Sequence, residues 1–291
     1  MPLPTASAIV RARDEADTIE RTLASLRAQS VPVEIVVVDS GSRDGTLDVA
    51  RRWCDRLIEI DPADFTFGRA LNVGAAAAAG DVHYALSAHC EATRTDWVER
   101  ALAHYREPDV AATNGALYSH EGIPLLEPFF MTADDALRDP YWGHSNFACS
   151  WRAATWREFP FDEGMEACED KEWSWRVLRA GWRIVFDPRL YVSSHHVQRG
   201  GMRALYRRTH REARAMAARA DLPRRSARDA LSQWWRDLPP DSAYPPLFHR
   251  MNYLRAAGIA ARYAGERGGR RARRGSDGAA GRVGGVQRVP R

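Results

Sequence analysis

Ile35-Val36-Val37-Val38-Asp39-Ser40-Gly41-Ser42-Arg43-Asp44-Gly45-Thr46 reads as a buried strand that ends on a carboxylate, a turn rich in Ser, Gly and Asp, and the start of a helix. The same rhythm runs outward on both sides. Upstream, Ala6 to Val10 is a short apolar strand, Asp17 offers an N-cap with Glu20 three residues on, and Ile19, Leu23 and Leu26 share one face of a helix reaching about Gln29. Downstream come a strand from Leu57 to Ile60, a small-residue helix from Leu71 to Ala79 closed by Gly80, and a strand from Val82 to Leu86. Strands alternating with helices predict an α/β fold with a mostly parallel sheet covered by helices. In such a sheet a ligand lies beyond the carboxyl ends of the strands, so Asp39 and the segment Ser87-Ala88-His89-Cys90-Glu91 are expected at one crevice.

Beyond residue 100 the pattern is less even. Tyr118 to Trp156 reads as loops, short strands and one helix; Glu169 to Leu178 as a helix ending at Gly181; Trp182 to Phe186 as a strand. Met202 to Ala220 is a strongly basic helix and Ala227 to Trp235 another. Pro239, Pro240, Pro245 and Pro246 break the chain before a short helix from Met251 to Tyr263. The expected organisation is a main domain over 1–200, a helical extension over 201–264 and an unfolded Arg/Gly-rich tail over 265–291.

The 291 residues are 45% hydrophobic, enough for a sizeable core, with a mean hydropathy of -0.47. No apolar run approaches the roughly 18 to 20 residues a bilayer requires and no signal-peptide pattern appears, so a cytoplasmic protein is expected. Cys54, Cys90, Cys149 and Cys168 stand apart, as free thiols in a reducing compartment do. The formal charge of +4 is unevenly placed. Residues 265–291 hold eight Arg against Glu266 and Asp277, a net +6, which leaves the other 264 residues at -2. A polyanion partner is therefore not indicated for the main domain, and no specific nucleic acid is expected. Arg outnumbers Lys 41 to 1, Lys171 being the single lysine.

Asp39 can accept from a ribose hydroxyl or a base N–H, or it can shape the turn. No G-x-G-x-x-G and no G-x-x-x-x-G-K-[ST] loop occurs, which excludes the usual dinucleotide and P-loop sites. Arg11 at the first strand's end, and Arg69 with Asn72 at a helix entry, are placed either to reach a nucleotide donor or to serve the fold.

The string from Ile35 to Thr46 resembles the nucleotide-binding signature of family 2 glycosyltransferases, which have the GT-A fold. Val10-Arg11-Ala12-Arg13-Asp14-Glu15 resembles their first strand and its Asn-Glu pair, with Asp14 in place of Asn. Phe65 to Gly74 and Ser145-Asn146-Phe147-Ala148 resemble the rhamnosyltransferase-like branch, and Phe161-Asp162-Glu163 through Glu169-Asp170-Lys171-Glu172-Trp173 resembles the acidic acceptor-side motif. The resemblance covers about residues 6–208.

It implies inverting sugar transfer from a dTDP-, UDP- or GDP-linked donor to a glycan, lipid-linked or small-molecule hydroxyl. Asp170 aligns with the catalytic base and Glu169 with a residue that orients it or the acceptor. Arg11, Asp14, Glu15, Asp39, Ser40, Gly41, Arg69, Asn72, Ser87 and Lys171 fall on the donor side. The metal motif departs from the pattern, because Ser87 and His89 stand where Asp-x-Asp is usual. A divalent metal would then rest on His89, Glu91 and His196, the latter preferred over His195, and the imidazoles favour Mn²⁺ over Mg²⁺. The other possibility is a metal-independent enzyme in which His89 and Arg side chains hold the diphosphate. A non-catalytic member that lost its metal site is the alternative reading. Arg199, Arg203 and Arg207, at helical spacing, are either further cations for the diphosphate or an anionic acceptor or a solvated face, and Trp234 and Trp235 with the basic helix suit a peripheral membrane contact.

Overall fold

Strand β1 (Ala6–Ala12) is buried along almost its whole length and pairs in parallel with β2 (Val33–Asp39), Ala12 standing opposite Asp39. Such continuous apolar strands belong to the middle of a sheet covered on both faces. β3 (Arg56–Glu59) adds in parallel to β2, and β4 (Val82–Ser87) to the other side of β1 with Arg11 opposite Ser87. Three carboxyl ends thus stand side by side, bearing Asp39, Arg11 and Ser87. The structure, a computed structural model, describes residues 3–117, 127–138, 140–141, 143–194, 202–222, 224, 226–236 and 250–283.

One face of β1 (Ala6, Ala8, Val10, Ala12) packs on Ile19, Leu23 and Leu26 of α1 (Ile19–Arg27), with Ala50 of α2 (Thr46–Trp53) in the same core. α1 starts two residues after the expected cap. Thr18 occupies that position, and its hydroxyl bonds the Glu15 carboxylate at 2.9 Å. α3 (Phe67–Ala77) covers the other face and begins four residues earlier than the apolar period predicts, because the Thr66 hydroxyl caps it by accepting from Arg69 N at 3.0 Å. A Cβ on Gly74 would stand 2.4 Å from Ile9 Cγ2, so glycine there sets how closely α3 approaches the sheet.

Past β4 the sheet is mixed, in the order β3-β2-β1-β4-β8-β6-β9-β5 with β7 also on β9. β8 (Ala148–Arg152) runs antiparallel between β4 and β6 (Val110–Leu117). β9 (Arg183–Ser194) lies parallel to β6 and antiparallel to β5 (Cys90–Ala92) and β7 (Phe129–Met131). The β9 register shifts around Asp187-Pro188, where proline has no N–H to donate. That irregularity is why the apolar pattern stops at Phe186 while the strand continues to Ser194. α4 (Trp97–His104), α5 (Ala133–Arg138), α6 (Ala153–Glu158) and α7 (Glu169–Arg179) complete this part.

The chain divides into two compact units, residues 1–165 with 169–197, and residues 166–168 with 198–291. The second contains α8 (Met202–Arg219), α9 (Ala227–Arg236) and α10 (Arg250–Val283). The tail expected to stay unfolded from residue 265 is helical as far as Val283. Composition hid the reason: Gly265 and Gly269 face α8 so closely that added Cβ atoms would stand 2.4 Å from His210 O and 2.2 Å from Arg214 O. Glu266 between them is buried beside Arg270 at 3.4 Å.

Candidate functional site

At the end of β2, Asp39 is fully buried and accepts from Gly41 N and Ser42 N, both at 2.9 Å, and from the Ser42 hydroxyl. Gly41 has φ +87, and a Cβ there would stand 2.3 Å from Pro62 Cγ, so the turn requires glycine. Ser40 donates to Ala12 O through its amide at 3.0 Å and through its hydroxyl at 3.3 Å. The loop after β1 is fastened to this turn: Asp14 N donates to Ser42 Oγ (2.9 Å), Arg43 N to Asp14 Oδ1 (2.7 Å), Glu15 N to Thr46 Oγ1 (2.8 Å) and Ala16 N to Asp44 Oδ2 (3.1 Å). Asp14 adopts φ +53, which Asp tolerates better than most residues. Asp39 and Asp14 therefore hold the crevice's backbone in place, which for Asp39 is the turn-shaping role its position also allowed.

On the α3 side, Asn72 spends its whole amide on the protein. Its Nδ2 donates to Phe161 O and Glu163 Oε1, both at 2.9 Å, and its Oδ1 accepts from Trp156 Nε1 (2.9 Å) and Phe161 N (3.1 Å). Of the two roles open to Asn72, these contacts supply the one that serves the fold, a brace between α3 and the segment after α6. Arg69 is partly exposed and lies 3.5 Å from Glu163 and 3.9 Å from Asp64.

Arg11 stacks over the Phe67 ring, 5.2 Å from its centroid, and points to Glu169 with Nη1 3.7 Å from Oε1. Glu169 is 5% exposed and accepts from Asn146 Nδ2 at 2.8 Å. Burial pushes its carboxyl above the ordinary range; the adjacent Asp170 adds to this, and Arg11 and Asn146 oppose it. Asp170 accepts from Asn146 N at 3.3 Å and from Lys171 N at 2.8 Å. Arg11, Asn146 and the start of α7, far apart in sequence, thus meet at the carboxyl end of β1. Asn146 lies in the 145–148 stretch that carries part of the resemblance, and nothing local in the sequence marks its role here. Lys171 points to backbone carbonyls and Asp170.

At the end of β4, Ser87 N donates to Phe147 O at 3.3 Å. His89 Nδ1 lies 3.0 Å from Glu15 Oε1, so one ring nitrogen is committed. Glu91 lies on β5 opposite Ser193. His195, His196 and Arg199 fall outside the described residues. Among those described, no three His, Cys, Asp or Glu side chains gather as a metal site. A hydroxyl and an imidazole held by Glu15 where two carboxylates are usual do not by themselves fit a divalent cation.

The family model described as Glycosyl transferase family 2 matches residues 7–155, just over half of the chain. The chain belongs to glycosyl transferase family 2. This family 2 chain is 27% identical over 202 residues to a pre-mycofactocin glycosyltransferase of Mycobacterium tuberculosis, covering 65% of itself and 42% of that relative's length. It is 29% identical over 253 residues to the succinoglycan biosynthesis protein ExoO of Rhizobium meliloti, covering 79% of itself and 71% of the relative. Among solved structures it is similar to the mannosyltransferase PcManGT from Pyrobaculum calidifontis in complex with GDP-Man and Mn²⁺, with a TM-score of 0.58, 19% identity and 99% and 77% of the two chains covered. It is also similar to S. aureus TarS 1–349 in complex with UDP-GlcNAc, with a TM-score of 0.56, 17% identity and 92% of each chain covered. The family 2 chain has the GT-A fold they share.

Proposed function

We propose that this chain transfers a sugar from a nucleotide-diphosphate donor to an acceptor hydroxyl, with inversion at the anomeric carbon and Asp170 as general base. The observation that carries the reading is the Glu169–Asp170 pair, set at the start of α7 and held to the carboxyl ends of the strands by Arg11 and Asn146. In one displacement Asp170 takes the acceptor's proton while the acceptor oxygen attacks the anomeric carbon, and the nucleoside diphosphate departs from the opposite face. Glu169 and Arg11 keep the base in place. The turn held by Asp39 offers the donor's nucleoside an ordered backbone. A relative named as a glycosyltransferase and a neighbour named as a mannosyltransferase, in complex with GDP-Man, support donor chemistry of this class, as does the UDP-GlcNAc complex of TarS 1–349.

Asp170→Asn is expected to lower kcat by about 10²- to 10⁴-fold with nucleotide affinity nearly unchanged. Retained activity in that variant would remove Asp170 from the role. Titrating UDP, GDP and dTDP by calorimetry with Mn²⁺ or with chelator identifies the base and reads metal dependence together. The second reading, a sugar-nucleotide-binding member without activity, is favoured by the missing carboxylates at Ser87 and His89. Turnover of any donor, with or without Mn²⁺, rejects it.

The acceptor is a glycan, a lipid-linked glycan or a small molecule, reached from the cytoplasm. No described helix is long and apolar enough to cross a membrane. Leu205 and Tyr206 are exposed on α8 among Arg203, Arg207 and Arg208, a composition that suits peripheral contact with an anionic bilayer. The side chains of Trp234 and Trp235 lie outside the described residues.

A further inference from the structure

Lys171 is the single lysine in a chain with 42 cationic residues. The resemblance put it on the donor side, yet its side chain is only 16% exposed and its ammonium faces inward. Nζ lies 2.5 Å from His144 O, 3.3 Å from Gly143 O and 3.7 Å from Asp170 Oδ2. Three acceptors from two parts of the chain converge on one nitrogen. An ammonium carries three donors on a single atom and meets that arrangement directly, whereas a guanidinium spreads its donors over a planar fork.

The two carbonyl acceptors belong to a segment that is stitched to α7 in several other places. Gly143 has φ +148, and a Cβ there would stand 3.2 Å from Ser174 Oγ. His144 N donates to Ser174 Oγ at 3.1 Å, and that hydroxyl donates to Asp170 O at 2.8 Å. Two residues on, Asn146 reaches both carboxylates, through N to Asp170 and through Nδ2 to Glu169. The position of the carboxylate pair therefore depends on residues 143–146 staying against the helix. Lys171 joins the first two of those residues to the helix that bears the pair.

We propose that Lys171 is a positioning residue for Glu169 and Asp170: its ammonium clamps the carbonyls of Gly143 and His144 against α7 and does not touch the donor. The inference rests on Asp170 being the general base and deepens that reading. It also accounts for a lysine persisting where arginine serves at every other cationic position.

The test compares wild type, Lys171→Met and Lys171→Arg in three measurements on the full chain: kcat and donor KM, affinity for UDP, GDP and dTDP by calorimetry, and amide hydrogen exchange of residues 144–146. Both variants are expected to lose about 10- to 100-fold in kcat, the scale of a misplaced catalytic group, while exchange at 144–146 accelerates and nucleotide affinity stays within about twofold. Recovery of wild-type kcat and exchange in Lys171→Arg would overturn the clamp, since charge alone would then suffice. So would a loss of nucleotide affinity with kcat and exchange unchanged, which would return Lys171 to the donor. If wild type turns over no donor, the proposed function falls instead, and exchange at 144–146 decides the clamp alone. Thermal melts of the variants separate a local loosening from a failure to fold.

Discussion

His144 is enclosed by rings, with centroids 5.0 Å from Trp173, 5.7 Å from Trp151 and 6.4 Å from Phe161, and neither of its ring nitrogens has a hydrogen-bond partner. Burial pushes its pKa down to about 4, only partly opposed by Asp170, and burial does the same to His83 beside Trp151 and Trp156. The folded protein binds these protons less readily than the unfolded chain does. The stability this contributes is present above pH 6.5 and is lost as pH falls toward about 4, up to about 3 kcal/mol for each ring. Glu169 acts with the opposite sign, because its raised pKa contributes most at low pH and the contribution is lost as pH rises. His144→Phe should therefore lose less stability than wild type between pH 7 and pH 4.5, as read by urea midpoints. An equal loss in both proteins would place the acid sensitivity elsewhere. At this scale the sequence supplied the types of the site residues but not their partners. Nothing local says that Arg11 faces Glu169 or that Asn72 is consumed by Phe161, Glu163 and Trp156, since those partners arrive from later elements.

α3 shows how an element can be legible while the demands on it are not. Its small residues mark a helix against a sheet, but the contact least able to give is Gly68, where a Cβ would stand 2.6 Å from a backbone atom, the Asp162 oxygen. Replacing a helical glycine with alanine ordinarily adds up to about 1 kcal/mol of stability. Gly68→Ala should reverse that sign and cost about 1–3 kcal/mol, because backbone must shift to admit the methyl group. Gly258→Ala in α10, with nothing within 4 Å of the new atom, should keep the ordinary sign. Thermal melts of the two variants check both expectations, and a stabilised Gly68→Ala would show that the 161–163 segment yields easily. The early strands were readable because each is a short apolar run ending in turn residues. β8 and β6 were harder to read, since β8 is five residues long and its neighbours in the sheet are not its neighbours in sequence.

Across the whole molecule, the basic C-terminal region is folded helix as far as Val283. Composition argued for disorder because it weighs apolar content, and the α8–α10 contact is made instead by glycines and alanines that let two backbones approach. Ending the chain at Ala264 removes Gly265, Glu266 and Gly269 from that contact. The truncated protein should lose helical ellipticity beyond the deleted residues and melt roughly 5 °C or more lower. Unchanged melting would mean that these residues are a dispensable tail. The net charge of +4 thus describes a folded helical unit rich in arginine as much as any free end.

The place of β8 has a consequence for the order in which the chain can mature. β4 and β6 are both synthesised before β8, yet they are joined only through it. Until residues 148–152 emerge, the growing protein carries a four-stranded sheet with β4 as a bare edge and a β6 that has no partner, since β9 follows later still; such edges are surfaces on which strands from other molecules can pair. Arrival of that one short strand closes the gap and completes the lead-in that carries Asn146 toward the carboxylate pair. A pause in synthesis just before it would therefore leave the nascent chain at its most aggregation-prone.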